Sequence, residues 1–303
     1  MTITIIGTVA FDTIETPIGK HEKLLGGSAS YAALAASVFS DVAIISIVGK
    51  DFPNNYLSLL KSKNINVDGI KVSQNDTFAW EGYYEKDMNQ AFTKETQLNC
   101  LTELDPEVPD DFKNSKIVFL ANVDPVLQQK AIKEFTSPQL IVLDTMNYWI
   151  EHKSYDLGQA LKQVDVLIIN DQEARQISGN NNVILAVKEI AKMGPKRIIV
   201  KKGEHGSIMF NGNDYFCVPA LPVKKVVDPT GAGDSFAGGF VGYLASKKIF
   251  TEQTFRNAVV VGTLASSTTV QGFGVSTISK LNRGKIGELF SGFKEITTLP
   301  SAL

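Results

Sequence analysis

Short aliphatic and β-branched runs recur along this chain between helix-like stretches, and that alternation limits the fold more than anything else in the sequence. Thr2–Ile6, Val42–Val48, Ile117–Leu120, Leu140–Leu143, Val166–Ile169 and Arg197–Val200 are each too short for a helix, and most are apolar at successive positions. A strand that is apolar on both faces must be covered on both faces. That is the situation of a central strand in a largely parallel sheet flanked by helices. The intervening segments supply such helices. Leu24–Phe39, with Ala32, Ala33, Ala35 and Ala36, has helical composition and little bulk, and Asn55–Ser62 follows before a further strand near Gly69–Val72. The pattern predicts an α/β fold built on a doubly wound sheet. Open sheets of that kind place their ligand crevice at the carboxyl ends of the strands. Polar clusters fall at such ends: Asn122–Pro125, Asp144–Asn147, Asn170–Glu173 and Lys201–Gly203.

One segment breaks the rhythm. Between Thr77 and about Cys100, Phe78, Trp80, Tyr83, Tyr84 and Phe92 are interspersed with polar residues, as in exposed antiparallel strands. Together with residues 13–24 this segment predicts a small second sheet, either laid over the main domain or packed as an aromatic edge within it. Ser207–Phe210 opens a hairpin through Asn211-Gly212.

The whole-chain figures narrow the function classes. A length of 303 residues allows one large core, or a core with a smaller appendage. With 30 basic residues against 32 acidic ones the formal net charge is −2, so no broad basic face for nucleic acid is expected. Cys100 and Cys217 are too few for a disulfide framework, and a reducing cytoplasm is the simplest setting. The opening Met1–Gly7 reads as a buried strand rather than a targeting peptide, and no apolar run reaches membrane-spanning length. Phe293–Leu303 carries no chemical signature.

The chemistry concentrates in Asp228-Pro-Thr-Gly-Ala-Gly-Asp234-Ser-Phe-Ala-Gly-Gly-Phe240. Gly231, Ala232 and Gly233 allow a tight turn whose amides converge on an anion. A helix expected over residues 235–248 would present its unpaired amides to the same anion. Asp234, at the mouth of that helix, is poorly suited to hold phosphate because like charges repel. It is well suited to take a proton from a hydroxyl attacking a phosphoryl group. A glycine-rich turn capped by an aspartate is the plainer alternative. Two acids flanking Pro-Thr-Gly-Ala-Gly argue for the phosphotransferase reading instead.

Asn170 and Glu173 suit either a helix-capping pair or the organisation of a hydrated metal and phosphate. His21, His152 and His205 are too scattered for a metal site or a catalytic dyad. Trp80, Tyr83 and Tyr84 fit acceptor recognition, sheet packing or a subunit contact.

The chain resembles the ribokinase-like, or PfkB, family of carbohydrate and nucleoside kinases. The resemblance rests on Asp228–Phe240 together with Gly26-Gly27-Ser-Ala-Ser-Tyr31, Val48–Phe52, Asn170-Asp-Gln-Glu173 and Lys202-Gly-Glu-His-Gly206, in that family's order from Gly7 to about Gly274. It implies a doubly wound three-layer sandwich with a small β-sheet lid. Residues 1–12, 25–75 and 101–303 would form the main domain, and 13–24 and 76–100 the lid. It further implies that Asp234 is the catalytic base and that the amides of Gly231, Ala232 and Gly233 form the anion hole. Asp12, Gly26, Gly27, Tyr31 and Asn147 would then face the acceptor. Asn170, Glu173, Lys202, Gly203, Gly206, Gly272 and Gly274 would face ATP, with Glu173 holding Mg2+ through water. Asp228 and Thr230 resemble either structural residues or part of a loop for a monovalent cation such as K+.

The chain departs from the family pattern in having Tyr31 where asparagine is frequent, and Ala10 where some ribokinases have a polar contact. Both departures weigh against ribose as the acceptor. The expectation is a cytoplasmic ATP-dependent kinase for a sugar or related polyhydroxy metabolite, with a homodimer through the lid as one assembly. A nucleoside kinase, or a non-catalytic metabolite-binding protein on the same fold, are the alternatives.

Overall fold

The computed structural model describes residues 2–298; residues 299–303 of the expected main domain, with Leu299, lie outside the described residues. The strands are β1 (Ile3–Ile6), β2 (Ala10–Thr16), β3 (Gly19–Gly26), β4 (Val42–Gly49), β5 (Ile65–Ser73), β6 (Ala79–Tyr84) and β7 (Ala91–Gln97). They continue with β8 (Ile117–Leu120), β9 (Leu140–Asp144), β10 (Val166–Asn170), β11 (Arg197–Lys201), β12 (Ser207–Phe210) and β13 (Tyr215–Val218). The first helices are α1 (Ser28–Ala36), α2 (Asn54–Ser62), α3 (Pro125–Ile132), α4 (Asn147–His152) and α5 (Ser154–Leu161). The rest are α6 (Asp171–Ser178), α7 (Val183–Ala191), α8 (Ala232–Ala245), α9 (Glu252–Thr269) and α10 (Arg283–Thr297).

The main sheet runs in the order β13-β12-β11-β10-β9-β8-β1-β4-β5. It is parallel from β11 to β5 and ends in the antiparallel β11-β12-β13 edge. Period-two alternation sorts each central strand between two cores. Ile5, Phe119, Val142, Ile168 and Ile199 face one core with α1, α8 and α9. Ile6, Leu120, Leu143, Ile169 and Val200 face the other with α3, α5, α6 and α7. Helices therefore cover both sheet faces, which is the three-layer α/β sandwich expected from the doubly apolar strands. Among the described residues no single helix is long and apolar enough to cross a membrane.

Helices α1 and α8 meet with almost no side chain between them. A Cβ on Gly238 would lie 2.1 Å from the Ala32 carbonyl oxygen, and one on Gly242 would lie 2.7 Å from Ala36 Cα. Both pairs repeat at i, i+4, so the small residues form one continuous seam along the two helices. This seam sets the amino end of α1 against the amino end of α8, which is where both glycine-rich turns lie.

The second sheet has the order β3-β2-β6-β7. Its outer pairs are antiparallel, as expected for the strands between Thr77 and Cys100, while β2 and β6 run parallel. Two local expectations are corrected. Leu24, Leu25 and Gly26 close β3 instead of opening a helix, because Gly27 (φ 88) turns the chain and α1 begins at Ser28. Asp12 lies within β2 of the small sheet. Helix α8 starts at Ala232, three residues before the expected 235, because Gly231 adopts the left-handed conformation (φ 73) that launches it at once.

Candidate active site

The head of α8 forms one wall of the crevice. The Ala232 N–H closes the preceding turn by donating to the Pro229 carbonyl at 3.1 Å. Of the three expected anion-hole amides, Ala232 is thus engaged within the turn. Gly233 and Asp234 occupy the first turn, where amides have no partner inside the helix. Gly231 is held under an aromatic ring, since a Cβ there would lie 2.4 Å from the Tyr31 ring carbons.

The carboxyl ends of three strands supply the facing groups. Asp144 ends β9, Asn170 ends β10 and Lys201 ends β11. Ile168 is aligned with Asp144, and Asn170 with Lys201. Asp144 and Lys201 share parity with the residues packed on α8 and project toward its head, whereas the Asn170 side chain turns to the start of α6. Lys201 Nζ donates to Asp144 Oδ2 at 3.2 Å, with the two side chains 17% and 6% exposed. The anticipated Asn170–Glu173 pair forms a reciprocal cap on α6. Asn170 Oδ1 accepts the Glu173 N–H at 2.8 Å, and Glu173 Oε2 accepts the Asn170 N–H at 2.7 Å.

Electrostatics make these groups one cluster. Burial, followed by the Asp144 charge, pushes Asp234 up to about 7 against the pull of Lys201. Burial raises Glu173 to about 8, again opposed by Lys201. Burial disfavours the Lys201 ammonium, yet Asp144, Glu173 and Asp234 together outweigh it and hold its pKa above the ordinary lysine value. Sequence reasoning placed Asp144 and Lys201 only in strand-end polar clusters, without a role, having singled out Lys202. The available signal was parity: Ile199 and Val142 face α8, so the ionisable residues two positions on, at the strand ends, must do so too.

Asp12, Gly26, Gly27 and Tyr31 form the opposite wall. Asp12 is 5% exposed, and burial lifts its carboxyl to about 7, with Asp228 and Asp234 adding to the rise and a Gly27 amide hydrogen bond opposing it. Its carboxylate fills the space that a Gly26 side chain would need, at 2.0 Å from a Cβ. Tyr31 is 1% exposed, and its hydroxyl has no hydrogen-bond partner in the protein. Burial, with the Asp12 charge next, keeps that hydroxyl neutral far above its ordinary pKa. Tyr84 of the small sheet reaches across to the glycine-rich turn, its hydroxyl 3.1 Å from Thr230 Oγ1.

The remaining expected residues are distributed as follows. Asp228 is fully buried and bridges two loops: Oδ1 accepts the Thr230 N–H at 2.8 Å and Oδ2 the Gly274 N–H at 2.9 Å. Gly272 lies in the turn after α9, and Gly274 is buried against Leu24 of β3. Lys202 precedes a single turn over Gly203–His205 and donates its N–H to the Gly206 carbonyl at 2.8 Å, outside the carboxylate cluster. Asn147 is exposed at the start of α4. A shallow cleft elsewhere, bordered by Tyr155, Gln159, Lys162 and Lys192, carries no convergent acids. The chemistry points to the strand-end crevice.

No three His, Cys, Asp or Glu side chains among the described residues converge as a metal cage. That donor set fits a cation such as Mg2+ that keeps its waters and takes its ligands mainly from a phosphate chain. Glu173 can receive a metal-bound water through the carboxylate oxygen not used in the cap.

A helix head facing a buried carboxylate, at the strand ends of an α/β sandwich, defines the class of protein that handles phosphoryl groups. Residues 2–281 match the profile of the pfkB family carbohydrate kinases, and the chain belongs to that family. A cytidine kinase from Thermococcus kodakarensis is 27% identical over 245 residues, 79% of this chain and 87% of that protein. A ribokinase from Lactococcus lactis is 27% identical over 309 residues, 97% of each chain. In fold the chain is similar to an E. coli protein provisionally called ribokinase II and solved with ATP and Mg2+. The TM-score is 0.78 at 19% identity, covering 96% of this chain and 99% of that one.

Proposed function

We propose that this protein is an ATP- and Mg2+-dependent kinase that transfers the γ-phosphoryl group to a hydroxyl of a sugar or related polyhydroxy metabolite. The observation that carries this reading is the convergence of Asp12, Asp234 and the head of α8 on one crevice, with the Tyr31 hydroxyl left unpartnered between them. Asp12 anchors acceptor hydroxyls, and Asp234 takes the proton of the attacking one. The Gly233 and Asp234 amides, with the turn from Gly231, steady the developing charge. Gly26 leaves room for the Asp12 carboxylate that anchors the acceptor, Gly27 makes the tight turn against the Thr8 carbonyl, and Asn147 lines the outer rim. Mg2+, when bound through water at Glu173, neutralises phosphate oxygens. Asn170 and the loops carrying Lys202, Gly203, Gly206, Gly272 and Gly274 border the ATP. Asp228 and Thr230 are the pair that would hold K+. The small sheet acts as the lid, and its exposed strand β7 is the surface for a homodimer. A cytoplasmic setting accords with the composition.

A nucleoside acceptor is the second reading, favoured by exposed Met146 and Tyr148 beside the acceptor wall. Trp149 Nε1 donates to Asn122 Oδ1 at 2.9 Å, and the Asn122 carbonyl accepts from Ser28 Oγ at 3.4 Å, next to Gly27. These links bring apolar surface suited to a base close to the glycine turn. The relatives include enzymes named for both acceptor types. Parallel ADP-release assays with sugars, inositols and nucleosides, each followed by identification of the phosphorylated product, test the proposal. Acceptor-dependent turnover is expected. Binding of a metabolite with no turnover across the panel would instead indicate a binding protein.

A further inference from the structure

We propose that Lys201 is a catalytic residue, whose ammonium contacts the phosphoryl group in flight while Asp144 positions it. The proposal rests on the kinase reading above. Its geometric basis is threefold. Lys201 is the last residue of β11 and faces α8. Its Nζ lies 2.9 Å from where a Gly233 Cβ would stand, so the ammonium is packed against the backbone that heads the helix. Asp144 is its hydrogen-bond acceptor among the described residues, and an ammonium has three donors, so two remain for a ligand.

Charge reinforces the geometry. Asp144, Glu173 and Asp234 all bear on this one ammonium. A nucleoside triphosphate entering a crevice with these acids and no counter-charge would be repelled. Removing Lys201 would leave only the helix amides and the Mg2+ that accompanies the triphosphate to oppose that repulsion. A buried ion pair is a poor stabiliser, because desolvation offsets much of its attraction. A strand-end lysine pressed against an anion-binding helix is therefore better explained by a ligand than by folding.

In the transfer, the acceptor oxygen forms the new bond to the γ-phosphorus. The bond from that phosphorus to the β,γ-bridging oxygen breaks, and ADP leaves with the electron pair. The acceptor proton passes to Asp234 and then to solvent. Lys201 keeps its protons throughout and donates hydrogen bonds to the γ-phosphoryl oxygens. ADP lacks those oxygens, so Lys201 should discriminate ATP from ADP.

Calorimetric titration with ATP, a nonhydrolysable ATP analogue and ADP tests this in wild type, Lys201→Met, Asp144→Asn and the double variant. Hydrogen bonds to a charged group are worth about 10- to 100-fold in affinity. Lys201→Met should lose the preference for ATP over ADP by about that factor, with ADP affinity little changed. Asp144→Asn, which keeps the ammonium, should retain the preference. The double variant removes both charges of the pair, so Asp144 is not left as a stranded carboxylate, and it decides the matter if the single variant does not fold. A double variant that keeps wild-type ATP preference and turnover would overturn the role of Lys201 while leaving the kinase reading intact. A wild-type protein that binds no triphosphate would overturn both.

Discussion

Asp234 and Asp12 carry opposite demands for function and for folding. Both are raised to about 7, chiefly by burial, so each favours the folded state in its protonated form. Their stabilising contribution is complete below the unfolded value near 3.8 and is lost as pH rises through about 7. At pH 8 the two ionised groups oppose folding, by an amount on the order of a few kcal/mol each. As the proposed base, Asp234 must be ionised to act. The account therefore predicts that kcat/KM rises with pH through about 7 and then levels. Asp234→Asn should reduce turnover by about 10²–10⁴-fold while raising the melting temperature of the ligand-free protein at pH 8 more than at pH 5. Steady-state kinetics and thermal melts at the two pH values check both halves; unchanged turnover would remove Asp234 from the mechanism. Asp12→Asn should show the same gain in stability but a different functional loss. Acceptor affinity should weaken by about 1.5–3 kcal/mol, with ATP affinity nearly unchanged, in separate calorimetric titrations. Intact acceptor affinity would mean that Asp12 is not the anchor.

Two devices act at the level of elements. The cap on α6 holds Glu173 whatever its ligand, so a change that keeps the cap isolates the charge. Glutamine serves in a capping box as glutamate does. Glu173→Gln should leave the melting temperature within a few degrees and shift activity to higher magnesium concentration. Unchanged magnesium dependence would leave Glu173 as a helix cap alone. The second device is the α1–α8 seam. Gly238→Ala would press a methyl group onto the Ala32 carbonyl and force the helices apart. Such overpacking typically costs about 1–3 kcal/mol. It should also lower turnover, by separating the acceptor turn at Gly27 from the helix head at Ala232. Chemical denaturation with kinetics would show both; a stable, fully active variant would mean that the seam does not set the site. The seam was invisible in the sequence, where Ala32, Ala36, Gly238 and Gly242 read only as small helical residues. The central strands were legible because they are apolar on both parities. The start of α8 was not, because the conformation of Gly231 decides it and a glycine permits either outcome. Lys201 was hidden for another reason: Lys201 and Lys202 are the same residue type, and only strand parity separates the one facing α8 from the one in the turn.

At the scale of the whole molecule, the sandwich brings distant segments to one crevice. Strand ends β9, β10 and β11 supply Asp144, Asn170 and Lys201, the helix head supplies Asp234, and the small sheet supplies Asp12 and Tyr84. The small sheet touches the neighbouring loops through Tyr84 on Thr230, through the His21 ring packed 4.1 Å from Phe273, and through Leu24 beside Gly274. One sheet thus meets both the glycine-rich turn and the loop after α9. The central claim is that the crevice moves a phosphoryl group from ATP to an acceptor hydroxyl. Phosphorus NMR of ATP, Mg2+ and the best acceptor from the panel tests it most directly, comparing wild type with Asp234→Asn. The account predicts that ADP and one phosphomonoester signal grow in equal amounts with wild type and at a rate about 10²–10⁴-fold lower with the variant. Release of inorganic phosphate without an ester, or equal ester formation by the two proteins, would contradict it.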